Sequence, residues 1–149
     1  MEMPVFTIRG KNHRERGVDY GVQCKELIQG VLERYIRFFN GGHTAVSWDE
    51  AKVISKEFLP FIRSYSPELL DELEGIAQGA DVEFDDLLTL NSRSEAMTLV
   101  RRPPSDKEEL DGCSSVAVLP DASANGHTIL AQNWDTYTWQ EYGLSLIHI

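Results

Sequence analysis

The stretch DGCSSVAVLP, residues 111–120, decides the organisation of the chain, because the hydrophobic period changes there from about 3.6 to 2. CSSVAVLP reads as a strand. DASANG (121–126) reads as a turn ending in Asn125-Gly126, and HTILAQNWD (127–135) as a second strand, so the three form a β-hairpin. Just upstream, RRPPSDKEELDG (101–112) combines two prolines, a charge run and no apolar periodicity, the marks of an exposed linker. Cys113 thus opens a strand and directly follows a linker. By residue type alone, a lone cysteine there is structural more often than catalytic, and Asp111-Gly112 is a turn signal.

Upstream of the linker the pattern is helical. Between Val18 and Phe39, Tyr20, Cys24, Leu27, Ile28, Val31, Tyr35 and Phe39 recur at steps of three and four, one face of a single helix that Asn40-Gly41-Gly42 stops. Ser47-Trp48-Asp49-Glu50 has capping-box spacing and opens a helix toward Tyr65, with Pro60 marking a kink or split. Ser66-Pro67 reads as an N-cap with proline at the first helical position. The next helix turns Leu69, Leu70, Leu73, Ile76 and Ala77 inward and ends near Gly79. Asp81 then reads as the cap of a helix through Leu87, Leu88 and Leu90 toward Val100. Residues 3–9, MPVFTIR, alternate as a short strand, and RGKNHRERG follows as a polar connection.

Composition narrows the function. A chain of 149 residues with 42% hydrophobic residues fits one compact domain or a piece of something larger. Its formal net charge of −10 argues against nucleic acid and anionic membrane surfaces as partners. Cys24 and Cys113 make no disulfide framework, and Cys24 sits where a packed thiol is the default. The N-terminus lacks a secretory pattern, and no apolar run reaches the roughly 18 residues of a membrane span, so the expected setting is reducing and cytoplasmic. His13, His43, His127 and His148 lack ligand spacing, so no metal site is expected; His127 falls on the second strand. No phosphate-binding glycine loop occurs, and Arg93 and Glu95 read as helix-surface or interdomain contacts. EYGLSLIHI (141–149) breaks off within an apolar run, and LSLIHI resembles translated sequencing-adapter sequence. Residues 144–149 are therefore expected to be non-native, and the natural protein to continue.

The position of Cys113 suggests a chemistry. If the chain is cut before it, the thiol gains a free α-amine on the same residue. That amine, with a pKa of about 8, can serve as the base for a thiol that is otherwise only slightly ionised at neutral pH. Gly112 leaves its carbonyl open to attack, and Ser114 and Ser115 bring hydroxyls to the same point. A hairpin returns the end of its second strand to the start of the first, so Asn133, Trp134 and Asp135 are expected near Cys113. A carboxylate there can orient the amine, and an indole can wall an acyl pocket.

DGCSSVAVLP followed by GHTILAQNWD resembles the processing site and second strand of the acyl-coenzyme A:6-aminopenicillanate acyltransferase-like family of N-terminal-nucleophile hydrolases. GVDYG (17–21), ELEGIAQGA (72–80) and LLTLNSRSE (87–95) resemble the same family in the same order, so the likeness runs from about residue 5 to Tyr142. The resemblance implies a precursor that cuts itself between Gly112 and Cys113. Residues 1–112 would become a helical α-subunit, and 113–143 the start of a catalytic β-subunit. It implies Cys113 as the nucleophile that carries a thioester and Asp135 as its polar partner. Ser115 stands where the family has a threonine that assists processing, and Asn133 and Trp134 fall in the substrate pocket. The implied partners are a small-molecule acyl donor and an amine acceptor, with acyl-coenzyme A as one donor and no resident cofactor. The implied fold is α+β. The whole protein would be an αββα sandwich, of which this chain holds the helical pro-segment and the first β-hairpin. Two alternatives stand beside acyl transfer: an amide hydrolase on the same scaffold, and a non-enzymatic helical interaction domain in which Cys113 is structural.

Overall fold

A computed structural model describes residues 5–99 and 113–133, and the chain divides into two compact units between Arg102 and Pro103. The described part is mostly helical with one two-stranded antiparallel sheet, an α+β composition. The linker expected at 101–112 lies outside the described residues.

In the helical unit, α1 (His13–Gln23) starts where the Asn12 side chain accepts the Glu15 N–H at 2.8 Å. The single helix expected from Val18 to Phe39 is broken at Cys24 (φ −105°, ψ 12°), where α1 gives way to α2 (Lys25–Phe38). The hydrogen bonds continue through the bend, from Cys24 N–H to Tyr20 O and from Ile28 N–H to Cys24 O, both 2.9 Å. Cys24, Ile28, Leu32, Tyr35 and Phe39 form the buried stripe; Leu32 takes the place expected for Leu27, which is 38% exposed. A wide turn over Phe39–His43 contains Gly42 at φ 80°, a left-handed conformation that glycine adopts without penalty.

The capping box forms as expected: Ser47 Oγ accepts the Glu50 N–H, and Glu50 accepts the Ser47 N–H at 2.8 Å. It opens α3 (Trp48–Lys56). The break comes at Glu57-Phe58, not at Pro60, which lies in the first turn of α4 (Leu59–Tyr65), where its missing N–H costs nothing. Ser66 precedes α5 (Pro67–Ala80), but its hydroxyl donates to Glu68 and does not cap a backbone N–H. Asp81 caps nothing downstream. It ends α5 in the left-handed conformation (φ 57°), and α6 (Phe84–Asn91) begins after Glu83. Ser92 separates α6 from α7 (Arg93–Leu99), so the helix expected toward Val100 is two helices. Of the strand expected at 3–9, residues 5–9 are described and form no strand; among the described residues they pair with no other segment by backbone bonds, and alternation alone cannot make a ladder.

The tightest packing joins α1 to α5. Gly17 and Gly21 on one helix meet Gly75 and Gly79 on the other. A Cβ on any of the four would clash with the opposing backbone: with the carbonyls of Glu72, Ile76, Arg14 and Val18 respectively. The two helices therefore touch main chain to main chain, an approach that suits Cα–H···O contacts. Ion pairs rim this seam, including Arg14 with Glu74. A second junction fixes α3 against α6. Trp48 stands edge-on to Phe39 at 5.2 Å, and its Nε1–H donates to Asp86 Oδ1 at 2.8 Å. Lys52 reaches the same oxygen at 2.5 Å. Ser55 and Ser92 join hydroxyls at 2.8 Å in the buried space behind it.

The second unit is the hairpin. β1 (Ser115–Val118) and β2 (Ile129–Gln132) run antiparallel with Ser115 opposite Gln132 and Val118 opposite Ile129. Their connection includes a short 3-10 turn, Pro120–Ala122, and Gly126 at φ 68°. His127, expected on the strand, lies in this loop, where its N–H donates to Ser123 Oγ at 3.0 Å and Asn125 Oδ1 at 3.2 Å.

Candidate active site

Of the residues singled out by the sequence, Cys113, Ser115 and Asn133 are described, and they lie at the open end of the hairpin. Cys113 is exposed, directly before the paired segment, and not in a disulfide. Ser114 and Asn133 extend the ladder one step past Ser115 and Gln132. Asn133 N–H donates to Ser114 O at 2.9 Å. The bond from Ser114 N–H goes to the Asn133 side chain, reaching Oδ1 at 2.6 Å. One residue of the second strand thus holds both the amide and the carbonyl of the residue after Cys113. Ser115, the expected processing hydroxyl, is exposed on β1 opposite Gln132. Gly112, Trp134 and Asp135 lie outside the described residues.

The two cysteines occupy opposite environments. Cys24 is 4% exposed, and burial pushes its thiol up, partly offset by a hydrogen bond with the Tyr20 hydroxyl. Tyr20 is itself pushed up, first by burial and then by Cys24. A thiol held in its neutral form is a poor nucleophile, so Cys24 is a packing residue.

Other candidates are weaker. Arg93 lies over the Tyr35 ring at 4.9 Å and donates to Leu90 O at 2.7 Å, so it ties α7 to α2 within the helical unit. Among the described residues, no three His, Cys, Asp or Glu side chains group as metal ligands, and no helix is long and apolar enough to cross a membrane. An open groove of about 780 Å3 beside α1 is lined by residues including Arg9, Arg14, Asp19, Gln23 and Gln78; among the described residues its lining has no cysteine, serine or histidine. What residue-by-residue reading missed is the clamp made by Asn133. Its only signal is an asparagine one step past the last paired residue of a hairpin.

No family model matches the chain. It is 28% identical over 155 residues to the beta-alanyl-dopamine/carcinine hydrolase of Drosophila melanogaster, an alignment covering 99% of this chain and 37% of the relative. It is 30% identical over 125 residues to the acyl-coenzyme A:6-aminopenicillanic-acid-acyltransferase 40 kDa form of Emericella nidulans, covering 80% of this chain and 32% of that one. The chain therefore spans about a third of the length of these relatives. The chain is thus similar, at modest identity, to two proteins of the acyl-coenzyme A:6-aminopenicillanate acyltransferase-like type of N-terminal-nucleophile hydrolases.

Proposed function

We propose that the chain is the N-terminal part of a self-processing enzyme that moves an acyl group through a thioester on Cys113 to an amine or to water. One observation carries the reading: in a family of hydrolases and acyltransferases, the Asp-Gly-Cys cysteine sits exposed at the head of a strand whose next residue is anchored. In processing, Cys113 Sγ attacks the Gly112 carbonyl carbon and the C–N bond breaks. The thiol proton passes to the departing nitrogen, leaving a Gly112 thioester and a free Cys113 amine. Water then hydrolyses the thioester to a Gly112 carboxylate and regenerates the thiol. Ser115 assists this step.

In turnover the α-amine of Cys113, oriented by Asp135, takes the thiol proton as Sγ attacks the substrate carbonyl. The leaving group departs with a proton, and the acceptor displaces the acyl group from sulfur. Trp134 walls the acyl pocket. The donor is an amide or an acyl thioester such as acyl-coenzyme A, and no resident cofactor is needed. Cleavage leaves a helical α-subunit and a β-subunit headed by Cys113, which together complete an αββα sandwich. The setting is a reducing one such as the cytoplasm, which keeps an exposed thiol reduced.

The test is the intact mass of the full-length precursor under denaturing, reducing conditions, beside Cys113→Ala. Two fragments dividing between Gly112 and Cys113, absent from the variant, are expected. A single uncut chain in both overturns self-processing and favours a structural Cys113. Supplying an acyl thioester with and without an amine then separates transfer from hydrolysis.

A further inference from the structure

We propose that Asn133 is a positioning residue for the Cys113 nucleophile and not a wall of the acyl pocket, an assignment that rests on the reading of Cys113 above. Once the chain is cut before Cys113, that residue has a single tether, the Cys113–Ser114 peptide. A planar peptide has no soft torsion of its own, so fixing Ser114 leaves the nucleophile only the rotations about its own backbone and side-chain bonds. Asn133 fixes Ser114 on both sides, through Oδ1 on its N–H at 2.6 Å and through its own N–H on the carbonyl at 2.9 Å.

Alternation along the hairpin points the same way. Ser115 and Gln132 share one face, and Val116 and Ala131 share the other. Continued by one step, Asn133 follows the face of Ala131. Cys113, two residues before Ser115, follows the opposite face. The Asn133 side chain reaches the nucleophile through the backbone it holds. A backbone carbonyl would ordinarily complete such a pair. Using a side chain there places the acceptor under the control of one substitution and makes the clamp separable from the ladder.

The experiment measures the first-order rate of self-cleavage in the full-length precursor, well below its melting midpoint, for the unsubstituted protein, Asn133→Ala and Asn133→Asp. Asn133→Ala removes the acceptor and is expected to slow cleavage by about ten- to a hundredfold, the scale for a reacting group misplaced by a fraction of an ångström to an ångström. Asn133→Asp keeps an acceptor oxygen at the same reach, so its rate should return to within about threefold of the original. In the processed enzyme, Asn133→Ala should lower kcat and leave KM unchanged. Should Asn133→Ala melt without cooperativity, Asn133→Gln takes its place with the same expectation, since it moves the acceptor by one methylene. Unchanged cleavage in Asn133→Ala overturns the proposal. So does failure of Asn133→Asp to recover, or a rise in KM alone, which would mark a pocket residue. An unsubstituted precursor that never cleaves overturns the self-processing reading itself, and this inference falls with it. A precursor that cleaves equally well in all variants overturns only the clamp.

Discussion

The helical unit and the hairpin use apolar residues in opposite ways. In the helical unit Ile28, Phe39, Leu87 and Leu88 are almost fully buried, and four glycines let two helices meet backbone to backbone. In the hairpin every described residue of β2 is exposed, and only Val118 of β1 is partly covered. Leu130 is 76% exposed, Val116 56% and Ile129 45%. The first unit has a buried core of its own, although Phe61 and Tyr65 of α4 stay exposed. The second displays strand-forming side chains and, among the described residues, no third strand, an arrangement that is marginal on its own. The chemistry proposed for Cys113 therefore rests on the unit that buries less of its apolar surface. Substitutions in the two units should separate accordingly.

The largest effect should come from the glycine seam. In Gly17→Ala the new methyl would overlap the Glu72 carbonyl, and only separation of α1 from α5 relieves it. A cost of about 3 kcal/mol is expected. That corresponds to a loss of roughly 10 °C or more in the melting midpoint. Gly30→Ala is the control. Gly30 lies in α2 with open space around its would-be Cβ, so the same substitution should stabilise by about 0.5–1 kcal/mol. Thermal melts of the two variants should move in opposite directions. A common direction would mean that the seam does not hold the unit together.

A smaller effect should follow from the cap of α3. Ser47→Ala removes the hydroxyl that accepts from Glu50 N–H, at a cost of about 1 kcal/mol. It should also alter the acid limb of stability. The Ser47 N–H, and then its hydroxyl, hold the Glu50 carboxyl below its ordinary value of 4.5. A folded-state value below the unfolded one stabilises the fold above about pH 4.5, and that contribution is lost as pH falls through the lowered value. Ser47→Ala keeps the backbone N–H but loses the hydroxyl. Its deficit relative to the unsubstituted chain should therefore shrink between pH 7 and pH 3 in paired denaturant titrations. An equal deficit at both would put the whole effect in the neutral hydroxyl-to-amide bond.

The parts legible in the sequence are those set by neighbours along the chain. The Ser47-to-Glu50 box, proline in a first turn and the hairpin with its open end at Cys113 each depend on residues a few positions apart or on a two-residue period. The misreadings arose where distant contacts decide. The helix end expected near Gly79 falls at Ala80, but the contact of Gly79 with the Val18 carbonyl across the seam has no signal along the chain. A left-handed aspartate ending one helix is indistinguishable by type from an aspartate capping the next. Residues 5–9 carry a strand's alternation without a partner strand among the described residues. At the site, residue types pointed to Cys113 and Asn133 but not to the clamp, because an asparagine can serve equally as pocket, cap or ladder end.

The smallest effect is expected where the comparison is sharpest. Leu130→Lys exchanges a strand leucine for a charge at a position 76% exposed in the 149-residue chain. With little burial to lose, stability there should change by less than about 0.5 kcal/mol. Association should fall, because a charge on an unpaired strand opposes edge-to-edge pairing. If the proposed αββα sandwich forms in the full-length precursor, the same leucine faces its added layers, and burying an unpaired ammonium would cost about 3 kcal/mol or more. The prediction is thus a difference between two lengths of one protein, read by paired melts and by light scattering across concentrations. A large loss in the short chain would mean that the hairpin is already packed in solution. A negligible loss in the long one would mean that this face of β2 stays at the surface, and the two-sheet arrangement would have to be abandoned for this strand.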